Sequence, residues 1–186
     1  QMDQGKNLRD EPIDGEERES YRSDIALVRH YMNVVPGTEV LLPDVAVTDQ
    51  WVLERGKRRI EVRYLGRSHT SGDLAVWLPR ERIVACGDMV VWPVPLVGAE
   101  QSHVGDWPAT LNALLALKPG KIVPGHGPVL GDTRYATQMR DLFLSINTQV
   151  NTALKSSQRL EDVRRAVDLS LQRKNFSGTS RVRDFA

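Results

Sequence analysis

The chain has 186 residues, 40% of them hydrophobic and 26% charged, which is enough apolar material for a packed core and excludes a disordered or collagen-like chain. Its 25 basic and 24 acidic side chains leave a net charge of +1, so no overall field selects nucleic acid, a membrane surface or a polyanionic substrate. No run reaches the roughly 18 apolar residues of a membrane span, and a single cysteine, Cys86, excludes an intrachain disulfide.

The polar start "QMDQGKNLRDEPIDGEERES" is the opposite of a signal peptide. Because the first residue is Gln1, a processed or cut N-terminus is left open, and no compartment is assigned. Residues 16 to 33, with Ile25, Leu27, Val28 and Met32 among charges, predict an amphipathic helix that "VVPGTE" ends. "VTDQWVLE" and "RRIEVRYL", joined by "RGK", predict a hairpin. Ile60, Val62 and Tyr64 alternate there with Arg59, Glu61 and Arg63, the second set forming a wet face. "DLAVWLP" and "RIVACGD" alternate less and predict central strands covered on both sides, linked through "PRE".

"DWPATLNALLALK" predicts a helix with Asp106 as N-cap and Pro108 in its first turn. "KIV" predicts a short strand. From Asp132 a long helix is predicted by the stripe Tyr135, Met139, Leu142, Phe143, Ile146, Val150 and Leu154, and "LEDVRRAVDLSL" predicts another. The whole reads as a single domain over 1–186: a polar helical lead-in at 1–35, a strand-rich region at 45–131, helices at 132–175 and a tail at 176–186. No internal repeat is present.

Three loops carry the chemistry: "GRSHTSGDL" with His69, "ACGDMV" with Asp88 and "VPGHGPV" with His126. Each sets a nitrogen or oxygen donor at the end of a strand, beside glycines that let the backbone turn closely around an ion. In this order they resemble the metallo-β-lactamase-fold hydrolases, a superfamily that includes glyoxalase II-like thioesterases as well as lactamases. The likeness is close from Val47 to Gly131.

The resemblance implies an α/β fold, a four-layer αββα sandwich of which this chain holds mostly the second half. It implies His69 as a ligand of a first metal, Asp88 as a bridge between two metals and His126 as a ligand of the second. The ligands' other ring nitrogens would be held by backbone carbonyls or by hydroxyls such as those of Thr70 or Ser71. The implied cofactor is Zn²⁺, two ions in the complete family site, with iron or manganese as alternatives. The implied reaction is hydrolysis, metal-activated water attacking an ester, thioester or amide/lactam carbonyl of a small-molecule substrate.

The family's H-x-H-x-D-H signature is absent: the four histidines are His30, His69, His103 and His126, none spaced as H-x-H. A site of this type needs about seven protein ligands, and three can be named here. The rival reading is therefore an inactive, truncated or degenerate half-domain. Its partner would be its own N-terminal half or a second copy, because half a sandwich leaves a sheet face uncovered.

Beyond the metal ligands, the segment after Asp88 is expected to form a pocket wall. Trp92 and His103 are its candidate substrate-binding residues, although a solvated loop histidine is the plainer reading of His103. Val90, Val91 and Trp92 stand where lactamases of the family often carry a basic residue, a role Arg67 could take instead. A cysteine hydrolase built on Cys86 would need an exposed thiol of depressed pKa, against its apolar setting.

Overall fold

A computed structural model of the chain describes residues 12–13, 15–39, 41–98, 101–156 and 159–176. Contacts divide the chain into two units, Gln1–Val45 and Ala46–Ala186. In the first, α1 (Gly15–Val34) is the predicted amphipathic helix. It runs into a 3-10 turn, Val35–Gly37, because Pro36 has no N–H to continue the ladder. Its apolar stripe, Leu27, Val28 and Met32, is exposed.

The second unit is built on one five-stranded sheet in sequential order. Its strands are β1 (Gln50–Arg55), β2 (Arg58–Tyr64), β3 (Leu74–Leu78), β4 (Ile83–Ala85) and β5 (Lys121–Val123). The first four pair antiparallel and β5 joins β4 in parallel, after a crossover through α2 (Trp107–Ala116). The predicted hairpin forms with Trp51 opposite Val62 and Val52 opposite Glu61. Gly56, at φ 59, takes the left-handed turn position that suits a residue without Cβ.

The hairpin departs from expectation at Glu61, on the charged face, while Arg59 there stays exposed. Glu61 lies opposite Trp77 and is only 5% exposed. It is closed over by Arg59 and Arg63, each 2.7 Å from one of its carboxylate oxygens. Burial works to raise its pKa, but those two arginines outweigh it and hold the carboxyl below its usual range. Ile60, Val62 and Tyr64 lie on the opposite, half-open face instead. Local alternation set the two faces apart, but which face is covered was decided by where the helices pack.

The helices pack on the face carrying Ala75, Trp77, Val84 and Ile122, which forms one core with Trp107, Leu111 and Leu114 of α2 and Tyr135, Met139, Leu142 and Phe143 of α3 (Arg134–Leu154). So β3 is covered on one side, not two: Trp77 is buried, while Leu74 and Val76 are each 37% exposed and Trp51, on the same open face, is 39% exposed. The long-helix stripe is likewise buried only as far as Phe143, and by Leu154 it is exposed. The final predicted helix is two, α4 (Leu160–Ala166) and α5 (Ser170–Arg173), with Val167 extended between them. Phe176, placed at the start of the tail, is buried edge-on to Tyr135 at 5.7 Å between ring centroids. Residues 177–186 lie outside the described residues.

Candidate metal centre

The sheet topology brings the three chemistry-bearing loops to one edge. β2 and β4 flank the antiparallel β3, and β5 runs parallel to β4, so the C-terminal ends of β2, β4 and β5 point the same way. His69 follows β2, Asp88 follows β4 and His126 follows β5. The β1–β2 and β3–β4 turns lie at the opposite edge.

At this edge Asp88 stands between the two histidines. Its Oδ1 is 3.6 Å from His126 Nε2 and its Oδ2 is 3.8 Å from His69 Nε2. Two glycines permit the approach. Gly87, at φ 52, opens the 3-10 turn Gly87–Met89 that carries Asp88. A Cβ on Gly125 would lie 1.9 Å from Asp88 Oδ1 and 2.7 Å from the Gly87 backbone. The Gly125 N–H is shared between the carbonyls of Gly87 (2.8 Å) and Val90 (3.1 Å), which ties the His126 loop to the Asp88 turn.

His69 is held more closely. Its Nδ1 lies 3.0 Å from the Leu96 carbonyl. A carbonyl only accepts, so Nδ1 carries a proton, and Nε2 is the nitrogen turned towards Asp88. The predicted backbone-carbonyl support is thus Leu96, while the Thr70 hydroxyl turns to Asp73 at 2.5 Å. Trp107 meets the imidazole edge-on at 6.1 Å between centroids and donates from Nε1 to the Met89 carbonyl at 3.0 Å. One buried indole therefore braces both the His69 ring and the Asp88 turn.

Among the described residues no three of His, Cys, Asp and Glu surround a single metal-sized point. The arrangement is one carboxylate with an imidazole nitrogen beside each of its oxygens. Ligand atoms about 2.0–2.1 Å from a zinc ion stand roughly 3.3–3.4 Å apart at the tetrahedral angle. The observed 3.6 and 3.8 Å are slightly wider, and the imidazole and carboxylate donors suit borderline divalent metals. In donor type and spacing the three residues fit divalent-metal binding, for which further ligands would be required.

Trp92 flanks His126: its N–H donates to the His126 carbonyl at 3.1 Å, and its Cβ lies 2.8 Å from where a Cβ on Gly127 would stand. Its ring is partly exposed. His103 reaches the site through its backbone, donating to the Ser68 carbonyl at 2.8 Å. Arg67 is engaged by Asp106, at 2.7 Å. Asp106 is the N-cap residue of α2 but makes no side-chain cap bond. Two surface clefts, of about 370 and 530 Å³, lie elsewhere, around Val129–Arg134 and around Arg55–Arg58 with Arg80 and Glu81.

Cys86 is buried, and desolvation pushes its thiol up to about 12, which removes it as a nucleophile. Sequence reasoning missed Leu96, Trp107 and Asp73 as supports. For Asp73 the signal was its place three residues beyond Thr70 in the same loop, the spacing at which a carboxylate meets local hydroxyl and N–H groups. Leu96 acts through its carbonyl, which leaves no mark in a sequence.

The family model described as Metallo-beta-lactamase superfamily matches residues 6–126, well over half the chain. The chain is 33% identical over 96 residues to the metallo-beta-lactamase type 2 of Bacillus cereus, covering 49% of this chain and 37% of that protein. To the metallo-beta-lactamase type 2 of Bacteroides fragilis it is 30% identical over 90 residues, covering 46% and 36%. A solved metallo-beta-lactamase from Pontibacter korlensis superposes with a TM-score of 0.50 at 23% identity, covering 61% of this chain and 54% of that one; this likeness concerns the fold. The chain spans well under half the length of the curated relatives it matches. With the three-loop edge and the family match in agreement, the chain belongs to the metallo-beta-lactamase superfamily.

Proposed function

We propose that the protein to which this chain contributes is a metal-dependent hydrolase of a small-molecule ester, thioester or amide/lactam, with zinc as its metal. The observation that carries this reading is the Asp88 carboxylate presenting one oxygen to each of two imidazole Nε2 atoms, at 3.6 and 3.8 Å. His69, Asp88 and His126 would hold the metal. When bound, it would supply Lewis acidity, lowering the pKa of water towards neutrality and polarising the carbonyl.

The chain's own residues prepare that chemistry. The Leu96 carbonyl holds the His69 proton on Nδ1 and so keeps Nε2 free to ligate. Gly125 leaves room for both oxygens of Asp88. Trp92, exposed beside His126, offers an apolar surface to substrate, and His103 is tied to the His69 loop through its backbone.

Metal content of the purified chain after dialysis against zinc, beside Asp88→Ala, tests the reading. Metal bound by the wild type and lost by at least tenfold in the variant supports it. Equal content in both would refute the ligand assignment.

A second reading rests on the open sheet face, where Trp51, Leu74 and Val76 are exposed beside Ile60, Val62 and Tyr64. A contiguous apolar face of this kind is costly in water. We propose that a second β layer, the N-terminal half of the same protein, covers it. Sedimentation with an apolar dye tests this: a dye-binding chain whose dye is released by the added N-terminal half supports it. A dimer that binds no dye would assign the face to a second copy, and a monomer without dye binding would overturn it.

A further inference from the structure

The His69 loop contains a carboxylate that the metal-ligand reading leaves unused. Asp73 accepts from the hydroxyls of Ser68 and Thr70 and from the Thr70 N–H at 3.0 Å. These donors come from the two residues that flank His69. Ser68 is fully buried, its N–H donating to the Thr70 carbonyl at 3.0 Å.

The outside of the loop is held separately. Thr110 Oγ1 donates to the Arg67 carbonyl at 2.7 Å, His103 N–H to the Ser68 carbonyl and Ser102 Oγ to the His69 carbonyl at 3.0 Å. Those bonds fix where the loop lies. Asp73 collects the donors on either side of His69.

We propose that Asp73 is a positioning residue for His69. By drawing the residues on both sides of His69 onto one carboxylate, it fixes the backbone from which the imidazole reaches the Leu96 carbonyl and faces Asp88. The inference rests on the reading of His69 as a metal ligand, but its geometry is testable without metal.

The test is the pattern of ring nitrogen signals in long-range proton–nitrogen NMR of the metal-free protein at about pH 8. His69 is identified by its loss in His69→Gln. In the wild type its proton should sit on Nδ1. In Asp73→Ala the His69 signals should move to the average of interconverting tautomers while those of His126 stay in place, and Asp73→Asn, which keeps one acceptor, should fall between.

Val163→Ala, at the buried position of α4, is a comparison for general loss of stability and should leave His69 unchanged. Should Asp73→Ala fail to fold, Thr70→Val removes one donor and should shift His69 in the same direction. Wild-type His69 signals in the folded variants, or an equal shift in Val163→Ala, would overturn the proposal. Zinc competition against a chromophoric chelator is the second readout. A loss of about 10–100-fold in affinity in Asp73→Ala is expected of a residue that orients a ligand. Absence of zinc binding in the wild type would defeat the ligand reading, while the NMR comparison would still decide the role of Asp73.

Discussion

His69 and His126 each stand beside one oxygen of the same carboxylate, yet their side chains are 18% and 64% exposed. His69 has a carbonyl on its second nitrogen, an indole edge against its ring and a loop drawn onto Asp73. His126 is fixed through its main chain, by the Trp92 N–H and the bridge to Val91. A histidine can therefore be held at such an edge in two ways. Side-chain supports set the angle of the His69 ring in advance, whereas the glycines around His126 set only where its Cα lies. The first arm spends its rotamer entropy on folding and the second on binding.

Gly125→Ala should break this comparison most severely. The new Cβ cannot share space with Asp88 Oδ1 or the Gly87 backbone, so the tie between the His126 loop and the Asp88 turn must open. A loss of about 2–3 kcal/mol in urea unfolding is expected, with zinc affinity reduced on both arms.

Trp107→Phe acts on the more firmly held side. It leaves the Met89 carbonyl without its 3.0 Å donor and removes the edge against His69. About 1.5–2 kcal/mol should be lost, and the ring signals of His69 should broaden while those of His126 do not.

The smallest effect belongs to the far part of the sheet. Glu61 has its pKa lowered in the folded chain, so its contribution is present above the unfolded value of about 4.3 and is lost as pH falls through the folded value. Glu61→Gln should cost about 1 kcal/mol at pH 7, a figure reduced by the partial exposure of Arg59 and Arg63. The gap should close on acidification below about pH 4, measured by urea titration across pH. The two histidine arms should be unaffected, which makes this variant the reference for the other two.

Much of the fold was legible because its signals are local. The RGK turn, the proline at the start of α2 and the glycine-flanked histidine after "KIV" each act through the backbone of a few residues. Faces were less legible. Glu61 looked solvated because it alternates with apolar neighbours, yet it is buried because two arginines neutralise it and Trp77 stands opposite. β3 looked doubly covered because Leu74, Val76 and Leu78 are apolar, yet one side is open.

The sequence by itself determined the order of the strands, the strand-end placing of His69, Asp88 and His126 and the glycines that make those turns possible, since each depends on residues close in the chain. Only the tertiary structure decided that the three loops share an edge and that Asp88 faces both histidines. It also decided that Leu96, Trp107 and Asp73 support one arm and not the other. Those contacts join β2, β4, β5 and α2 across tens of residues, and they exist only after antiparallel and parallel pairing has set the strand directions.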